Sequence, residues 1–400
     1  MAWVEKSGVN SWRVRYRRED DTIGAVAGFP TRKAAQNHAD TIESDQRKGT
    51  WLDPGGGKTL LSEWAGDWLE AQDIAVRTED FYRSLLKIHI LPRWGETALD
   101  DIGGVKAAAW AKGLRKDGYA DSTVTGLTKL LSLLLADAAE ARLIVANPIR
   151  AHRRGRRRAP PRSERIWATP EQVLRTADNA ARLPGGGPGD AVMIAIAGWT
   201  GVRWGEITGL RRSNTFVDDD GTGSFRIDPK VGALIESSQG LELGPPKTAE
   251  SARRVTLPPS LTRLLRAHLA THDHPHAFLS PRGELHRRSN FARRVLRPAA
   301  DGTQHQRRPV VSLPPVKPGL TFHGLRHGHK TWMIADGIPE VAQSRRLGHL
   351  LDDKIQETYS HVAAEVEARL LQALEERWNK AVANSPDDPG WRAAAGGVAE

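Results

Sequence analysis

The chain has 400 residues, too many for a single compact core, so two or three domains are expected. Its 58 Lys and Arg against 48 Asp and Glu leave a formal charge of +10, which favours a polyanionic partner such as nucleic acid over an acidic one. The absence of cysteine excludes disulfides, thiolate metal ligands, a cysteine nucleophile and thiol redox chemistry. No stretch approaches the roughly 20 consecutive apolar residues of a membrane helix. The opening Met1-Ala2-Trp3-Val4-Glu5-Lys6 lacks the apolar run of a signal peptide, so the expected location is the cytoplasm, with no membrane partner.

Residues 1–50 form the first expected module. In Trp12-Arg13-Val14-Arg15-Tyr16-Arg17 apolar side chains alternate with arginines, so an extended strand puts Trp12, Val14 and Tyr16 on one face and Arg13, Arg15 and Arg17 on the other. A second extended piece is expected over 22–29, then a helix capped by Thr31 that carries Ala34, Ala35, Ala39 and Ile42. A small sheet backed by a helix suits a DNA groove, although an ordinary solvated strand face has the same pattern. Residues 51–58, with Asp53-Pro54-Gly55-Gly56-Gly57, have the composition of a linker. Gly57-Lys58-Thr59 is no phosphate-binding loop, because Leu52 stands where that motif needs a glycine.

Helical periodicity runs from 59 to 149. Leu61, Trp64, Trp68 and Leu69 share one face, as do Leu127, Leu130, Leu131, Leu134 and Leu135 in a helix that Ser122 is placed to cap. With Pro92 and Gly95 as punctuation, the segment predicts a bundle of about four helices. Residues 150–165 then hold eight arginines and a single acid, Glu164, which marks a basic linker. Its Arg153, Arg154, Arg156, Arg157 and Arg158 are candidate phosphate contacts; solubility alone is the other use of such a run. Residues 166–380 are the largest part, and 381–400 are expected to be a disordered tail. Within the large part, 170–181 is helical, 185–189 is a glycine-rich loop, and 191–199 is apolar enough to require a buried helix. Strands are expected near 225–227 and over 241–244 and 253–257, the last two pairing across a polar turn.

Several short motifs in this part bring together groups that bind or move protons around an anion. Thr200-Gly201-Val202-Arg203-Trp204-Gly205-Glu206 follows the buried helix, placing Arg203 at a helix start with Glu206 on the same face; a surface ion pair is the plainer alternative. Lys247, in Pro245-Pro246-Lys247-Thr248, sits in the turn between two strands, where a lysine has reach enough to protonate a leaving oxygen. His323-Gly324-Leu325-Arg326-His327 opens a helix and puts His323 and Arg326 on one face. Leu347-Gly348-His349 ends the next helix, and Tyr359 follows in Thr358-Tyr359-Ser360-His361-Val362. The cluster His268, His272, His274 and His276 is broken by Asp273 and Pro275 and is expected to be a loop with no metal.

Arg203, Lys247, the histidine and arginine of the 323–327 motif, His349 and Tyr359 occur in one order across 160 residues, and together they resemble the catalytic signature of the tyrosine recombinases, the phage-integrase family. Residues 1–57 resemble the arm-type DNA-binding domain and linker of actinobacterial integrases, and 58–149 the helical, SAM-like core-binding domain. The resemblance implies a multidomain α+β fold, with 150–165 as a basic linker and 166–380 as a mainly helical catalytic domain holding a small antiparallel sheet. It implies that Tyr359 is the nucleophile, that Arg203, Arg326, His323 and His349 bind the phosphate, that His323 is the base, and that Lys247 protonates the leaving 5′ oxygen. Glu206 would orient Arg203. No metal, ATP or other cofactor is implied. The implied partners are core and arm DNA sites, three further copies of the chain in a tetramer, and an excisionase or DNA-bending accessory protein.

Two features depart from the family pattern: the bulky Trp204 beside Arg203, and a long Arg- and Pro-rich segment at 297–319. The apolar stripe Val362, Val366, Leu370, Leu374 and Trp378 fits packing either in cis or on a neighbouring copy. A DNA-binding regulator that does not cut and a type IB topoisomerase are the competing functions. The first has no use for the complete catalytic set, and the second would relax DNA without exchanging sites.

Overall fold

A computed structural model describes residues 2–18, 21–48, 51–53, 55–149, 164–218, 221–304, 309–349, 362–384 and 391. They fall into two compact units, Met1–Ala159 and Pro160–Glu400.

The first unit opens with an antiparallel sheet of β1 (Ala2–Gly8), β2 (Ser11–Arg17) and β3 (Ile23–Phe29), in that order. Helix α1 (Arg32–Lys48) is capped by Thr31, whose Oγ1 accepts the Ala34 N–H at 3.1 Å. The alternation in β2 works as expected: Val14 and Tyr16 are buried with Ala35, Ala39 and Ile42 of α1, so the arginines take the opposite face. Strand β1 has too weak an apolar alternation to be read from sequence. It places Glu5 opposite Arg13, with ion pairs of 2.9 Å to Arg13 and 3.3 Å to Arg15. The expected linker is fastened near its start, where Asp53 accepts the Tyr16 hydroxyl at 2.5 Å and pairs with Arg18 at 2.6 Å.

The helical part of this unit contains α2 (Leu61–Glu70), α3 (Val76–Leu85), α4 (Leu91–Trp94), α5 (Gly104–Lys116) and α6 (Asp121–Glu140). The indoles of Trp64 and Trp68 donate to the Leu134 carbonyl (2.9 Å) and the Asp137 carboxylate (2.5 Å), tying α2 to α6. Pro92 does not break the chain as expected. A π turn, Leu86–Ile90, joins α3 to α4, and its last bond runs from Leu91 N–H to Leu86 O just before the proline that has no N–H to give. Ser122 does not cap α6 either: the helix begins at Asp121 behind Ala120, with no side-chain cap.

In the second unit α7 (Pro170–Arg182) starts from a capping box between Thr169 and Gln172. The glycine-rich loop is shorter than expected, because α8 already begins at Pro188 and runs to Thr200. Every residue of α8 from Asp190 onward is buried, as its composition requires. After α9 (Trp204–Thr208) come β4 (Thr215–Val217), β5 (Gly223–Ile227), β6 (Ala233–Ser237), β7 (Gly240–Gly244) and β8 (Arg253–Leu257).

The expected pairing of 241–244 with 253–257 is wrong. Strand β7 pairs with β6 in a two-stranded sheet, while β8 pairs with β5 in the order β4-β5-β8. Phe225, Ile227, Val255 and Leu257 then present one buried face to Leu261 and Leu265 of α10 (Pro259–Leu269). The connection 245–252 holds two prolines, which cannot donate to a ladder, and a short 3-10 turn, Ala249–Ser251, that redirects the chain. Lys247 therefore lies in a link between two sheets and not at a hairpin tip.

Helices α11 (Arg288–Phe291) and α12 (Arg297–Asp301) repeat the device of the first unit, with a π turn, Ala292–Leu296, ahead of Pro298. Helices α13 (Phe322–Ala335), α14 (Glu340–Leu347) and α15 (Ala364–Ala383) complete the unit. Trp199 of α8 lies 5.1 Å from both Trp332 of α13 and Trp378 of α15, in edge-on contacts. The apolar stripe thus packs in cis: Leu370, Leu374 and Trp378 are buried in this unit's own core. The boundary drawn at 380 is also too early. Helix α15 continues to Ala383, and Trp391 is buried against Trp378, its indole donating to Asp178. Among the described residues no helix is long and apolar enough to cross a membrane.

One buried pair predicts a pH effect on stability. Asp190 and His286 face each other at 3.3 Å, both nearly inaccessible. Burial pushes the Asp190 carboxyl up to about 7 and the His286 imidazole down to about 4. With its folded pKa above the unfolded value, Asp190 holds a proton that the unfolded chain has released. Its contribution to stability is therefore complete below the unfolded pKa and is lost as pH rises towards about 7. Asp190→Asn should raise the melting temperature more at pH 8 than at pH 5, the gain in stability differing between the two on the order of a few kcal/mol. Equal shifts at the two pH values would contradict this assignment.

Candidate active site

Helix α8 ends at Gly201, whose φ of +65° and close neighbours exclude a side chain: a Cβ there would lie 2.6 Å from Leu347 and 2.9 Å from His329. The chain then turns through Val202 and presents Arg203 as the N-cap of α9. The Arg203 guanidinium donates to Glu206 Oε1 (2.8 Å), Ser251 Oγ (2.8 Å) and the Gly348 carbonyl (2.9 Å). Glu206 Oε2 accepts the Arg203 backbone N–H at 2.9 Å and Arg253 at 3.0 Å. Burial alone would raise the Glu206 carboxyl. The charge and hydrogen bond of Arg253, followed by the Arg203 amide and guanidinium, outweigh that and hold it below the usual carboxylate range.

Arg326 is 3% exposed and projects from α13 into the same place. It donates to the carbonyls of Gly201 and Leu347, both at 2.6 Å, and to His349 Nε2 at 2.8 Å. The two arginines thus hold the C-terminal ends of α8 and α14 together. Gly348, at φ +63°, closes α14; a Cβ there would lie 2.9 Å from Ser251 Cα. Burial, then the charge of Arg203, draws Arg326 down to about 9, which leaves it protonated at neutral pH.

His349 is pushed down to about 4 by burial and then by Arg326 and Arg203. It is a neutral ring whose Nε2 accepts from Arg326, so its remaining proton is on Nδ1 and free to donate. His323, exposed on the same helix as Arg326, has its ring 4.5 Å from that of His327. Partial burial, His327 and the cations Arg326, Arg165 and Arg203 bring it to about 4, so it too is neutral and able to accept a proton. A cavity of about 470 Å³ beside His349 is lined by Arg253, Arg254, Arg345 and Arg346 against Glu250 and Glu367.

The structure therefore brings Arg203, Glu206, Arg326 and His349 into one hydrogen-bonded network, with His323 at its edge. Lys247 is exposed and makes no hydrogen bond or ion pair among the described residues, but Thr248 beside it bonds Ser251 at 3.0 Å, within that network. Tyr359 lies outside the described residues, as do Arg153, Arg154, Arg156, Arg157 and Arg158. Arg13 and Arg15 share Glu5, and Arg17 pairs with the exposed Asp21 at 3.3 Å, so the cationic strand face is partly neutralised. No group of three or more metal-ligating side chains occurs among the described residues.

Sequence reasoning missed Ser251, Arg253 and the buried pair Arg346 and His329. Arg346 is enclosed and donates to His329 Nε2 (3.0 Å), the Trp199 carbonyl (3.1 Å) and the Thr256 carbonyl (3.2 Å). Two adjacent arginines in β8 and two in α14 look like solvated charge in a linear sequence. Trp204, beside Arg203, packs into an aromatic cluster, tilted against Phe291 at 5.0 Å and edge-on to Phe322 at 5.1 Å, which gives its bulk a place.

No protein-family profile matches the chain. It is 28% identical over 294 residues to the integrase of Mycobacterium phage L5, covering 72% of each sequence. It is 27% identical over 298 residues to a putative prophage phiRv2 integrase of Mycobacterium tuberculosis, covering 72% of this chain and 71% of the relative. Among solved structures it is similar to the Tn1549 transposon integrase in complex with transposon right end DNA, with a TM-score of 0.58, 17% identity, and coverage of 78% of this chain and 99% of that one. It is similar too to a lambda integrase tetramer bound to a Holliday junction, with a TM-score of 0.52, 17% identity, and coverage of 89% and 94%.

Proposed function

We propose that the chain is a tyrosine recombinase, on its similarity in sequence to phage integrases and in fold to transposon and lambda integrases, and that it cuts and rejoins DNA at specific sites through Tyr359. The observation that carries the reading is the convergence of Arg203, Arg326 and His349 on the ends of two helices, where a phosphate would meet two guanidiniums and an imidazole N–H.

In the proposed reaction the Tyr359 oxygen attacks phosphorus and the bond to the 5′ oxygen breaks. The phenol proton passes to neutral His323, and Lys247 supplies a proton to the departing 5′ oxygen. The product is a 3′-phosphotyrosyl bond, which keeps the energy of the phosphodiester. A 5′ hydroxyl from a second DNA then reverses the step, so integration and excision need no ATP. Arg203 and Arg326 oppose the charge that develops on the non-bridging oxygens. The sheet face bearing Arg13, Arg15 and Arg17 would bind arm DNA, the 150–165 arginines would follow phosphates, and four copies would assemble on paired sites.

The test is capture of the covalent intermediate. The full-length protein is mixed with duplexes recovered by binding selection and nicked beside the bound site, in the presence of EDTA. An adduct that survives denaturation and maps to the peptide bearing Tyr359 is expected. No adduct, or one that requires a divalent metal, would overturn the reading, and relaxation of supercoils without strand exchange would favour a topoisomerase.

A further inference from the structure

We propose that Arg253 is a positioning residue for strand cleavage, sharing the Glu206 carboxylate with Arg203 so that Arg203 keeps charge to spend on the phosphate. The inference rests on the active-site reading above and extends it to a residue that touches neither substrate nor reacting atoms.

The geometry is specific. Glu206 is 2% exposed, and each of its oxygens receives a hydrogen bond from Arg203, one from the guanidinium and one from the backbone N–H. A buried carboxylate bound to a single guanidinium cancels its charge. Arg203 alone with Glu206 would then be a neutral pair facing an anionic substrate. Arg253 supplies the second cation at 3.0 Å, on the oxygen that the Arg203 guanidinium leaves free. The three groups together carry one net positive charge, and with Arg326 the site carries two. A phosphodiester gains negative charge on the way to its five-coordinate state, and a fixed excess of positive charge is what that change rewards.

Arg253 is tied on its other sides as well. Its Nε donates to the Arg346 carbonyl and its NH1 to the Ser251 carbonyl, both at 2.7 Å. Ser251 Oγ in turn accepts from Arg203, and Arg346 lies two residues before Gly348, whose carbonyl Arg203 also holds. One planar fork therefore connects Glu206, the turn that carries Lys247, and the end of α14 that carries His349. Its side chain is 8% exposed, so it is placed to act through these groups and not on DNA directly.

The experiment measures single-turnover cleavage at saturating nicked DNA, and DNA affinity separately, for Arg253→Met, Arg253→Lys, Glu206→Gln and the Glu206→Gln/Arg253→Met double variant, with folding followed by circular dichroism. Arg253→Met should slow cleavage by about 10- to 100-fold with affinity changed less than about 3-fold, because the loss falls on the transition state. Arg253→Lys, which keeps the charge, should recover most of that rate. In the Glu206→Gln background there is no carboxylate to share, so adding Arg253→Met should cost only about 3-fold more. Full additivity of the two substitutions, or a wild-type rate in Arg253→Met, would overturn the proposal. If Arg253→Met fails to fold, Arg253→Gln, which also removes the charge, is combined with Glu206→Gln and judged by the same criterion. A wild-type protein that forms no adduct would instead overturn the active-site reading itself.

Discussion

Tyr359→Phe is expected to abolish the covalent adduct, a loss of at least about 10⁴-fold, while DNA affinity stays within about 2-fold. The substitution removes one oxygen and nothing else, so it tests the nucleophile directly. The chain has four tyrosines, Tyr16, Tyr82, Tyr119 and Tyr359, and only the last lies beyond residue 165, in the part that carries both arginines. The structure disfavours Tyr16 on chemical grounds. Tyr16 is 1% exposed and donates its hydroxyl to Asp53; burial, then that hydrogen bond and charge, pushes it up to about 12, the wrong direction for a phenol that has to ionise. Tyr82 packs 5.9 Å from Trp68 against the helical core of the first unit, and Tyr119, exposed, sits edge-on to His89 in the same unit. The measurement is a denaturing gel of labelled nicked duplex. An adduct formed by Tyr359→Phe at more than about 1% of the wild-type yield would mean that another group attacks phosphorus.

What was legible in the sequence was local. The apolar run 191–199 could only be a buried helix, and the turn after it, with Arg203 at a helix start and Glu206 three residues on, follows from glycine chemistry and helix geometry. The same holds for His323 and Arg326, whose spacing fixes their common face. Strand pairing was not legible, because it joins distant segments: only eight residues separate β8 from β7, yet β8 pairs with β5, where apolar faces match and the two prolines do not interrupt. Arg253 was missed for a related reason. Nothing in Arg253-Arg254 distinguishes a guanidinium turned into a buried network from one turned to solvent until the partners 47 and 93 residues away are in place. Pro92 misled in the opposite sense, since a π turn lets a helical run pass a residue that lacks its donor.

Arg326 is the residue on which the site's charge and its architecture both depend, so its substitutions should separate two kinds of loss. Arg326→Lys keeps a cation but cannot span the Gly201 carbonyl, the Leu347 carbonyl and His349 from one planar group; cleavage should fall by about 10²- to 10³-fold. Arg326→Ala removes the charge as well and should fall by at least about 10³-fold. It also leaves two buried carbonyls without a donor, at a cost of roughly 1–3 kcal/mol for each, so its melting temperature should drop below that of the lysine variant. His349 reports on the same change. Its imidazole is held down to about 4 by burial and then by the Arg326 charge, so in Arg326→Ala it should titrate closer to its ordinary range, which NMR of the ring protons would follow. The upward direction matters, because a His349 that becomes charged near neutral pH would replace some of the lost cation, and residual cleavage by Arg326→Ala should then increase as pH is lowered. Cleavage within about 10-fold of wild type in Arg326→Ala, at any pH, would show that the phosphate is held elsewhere.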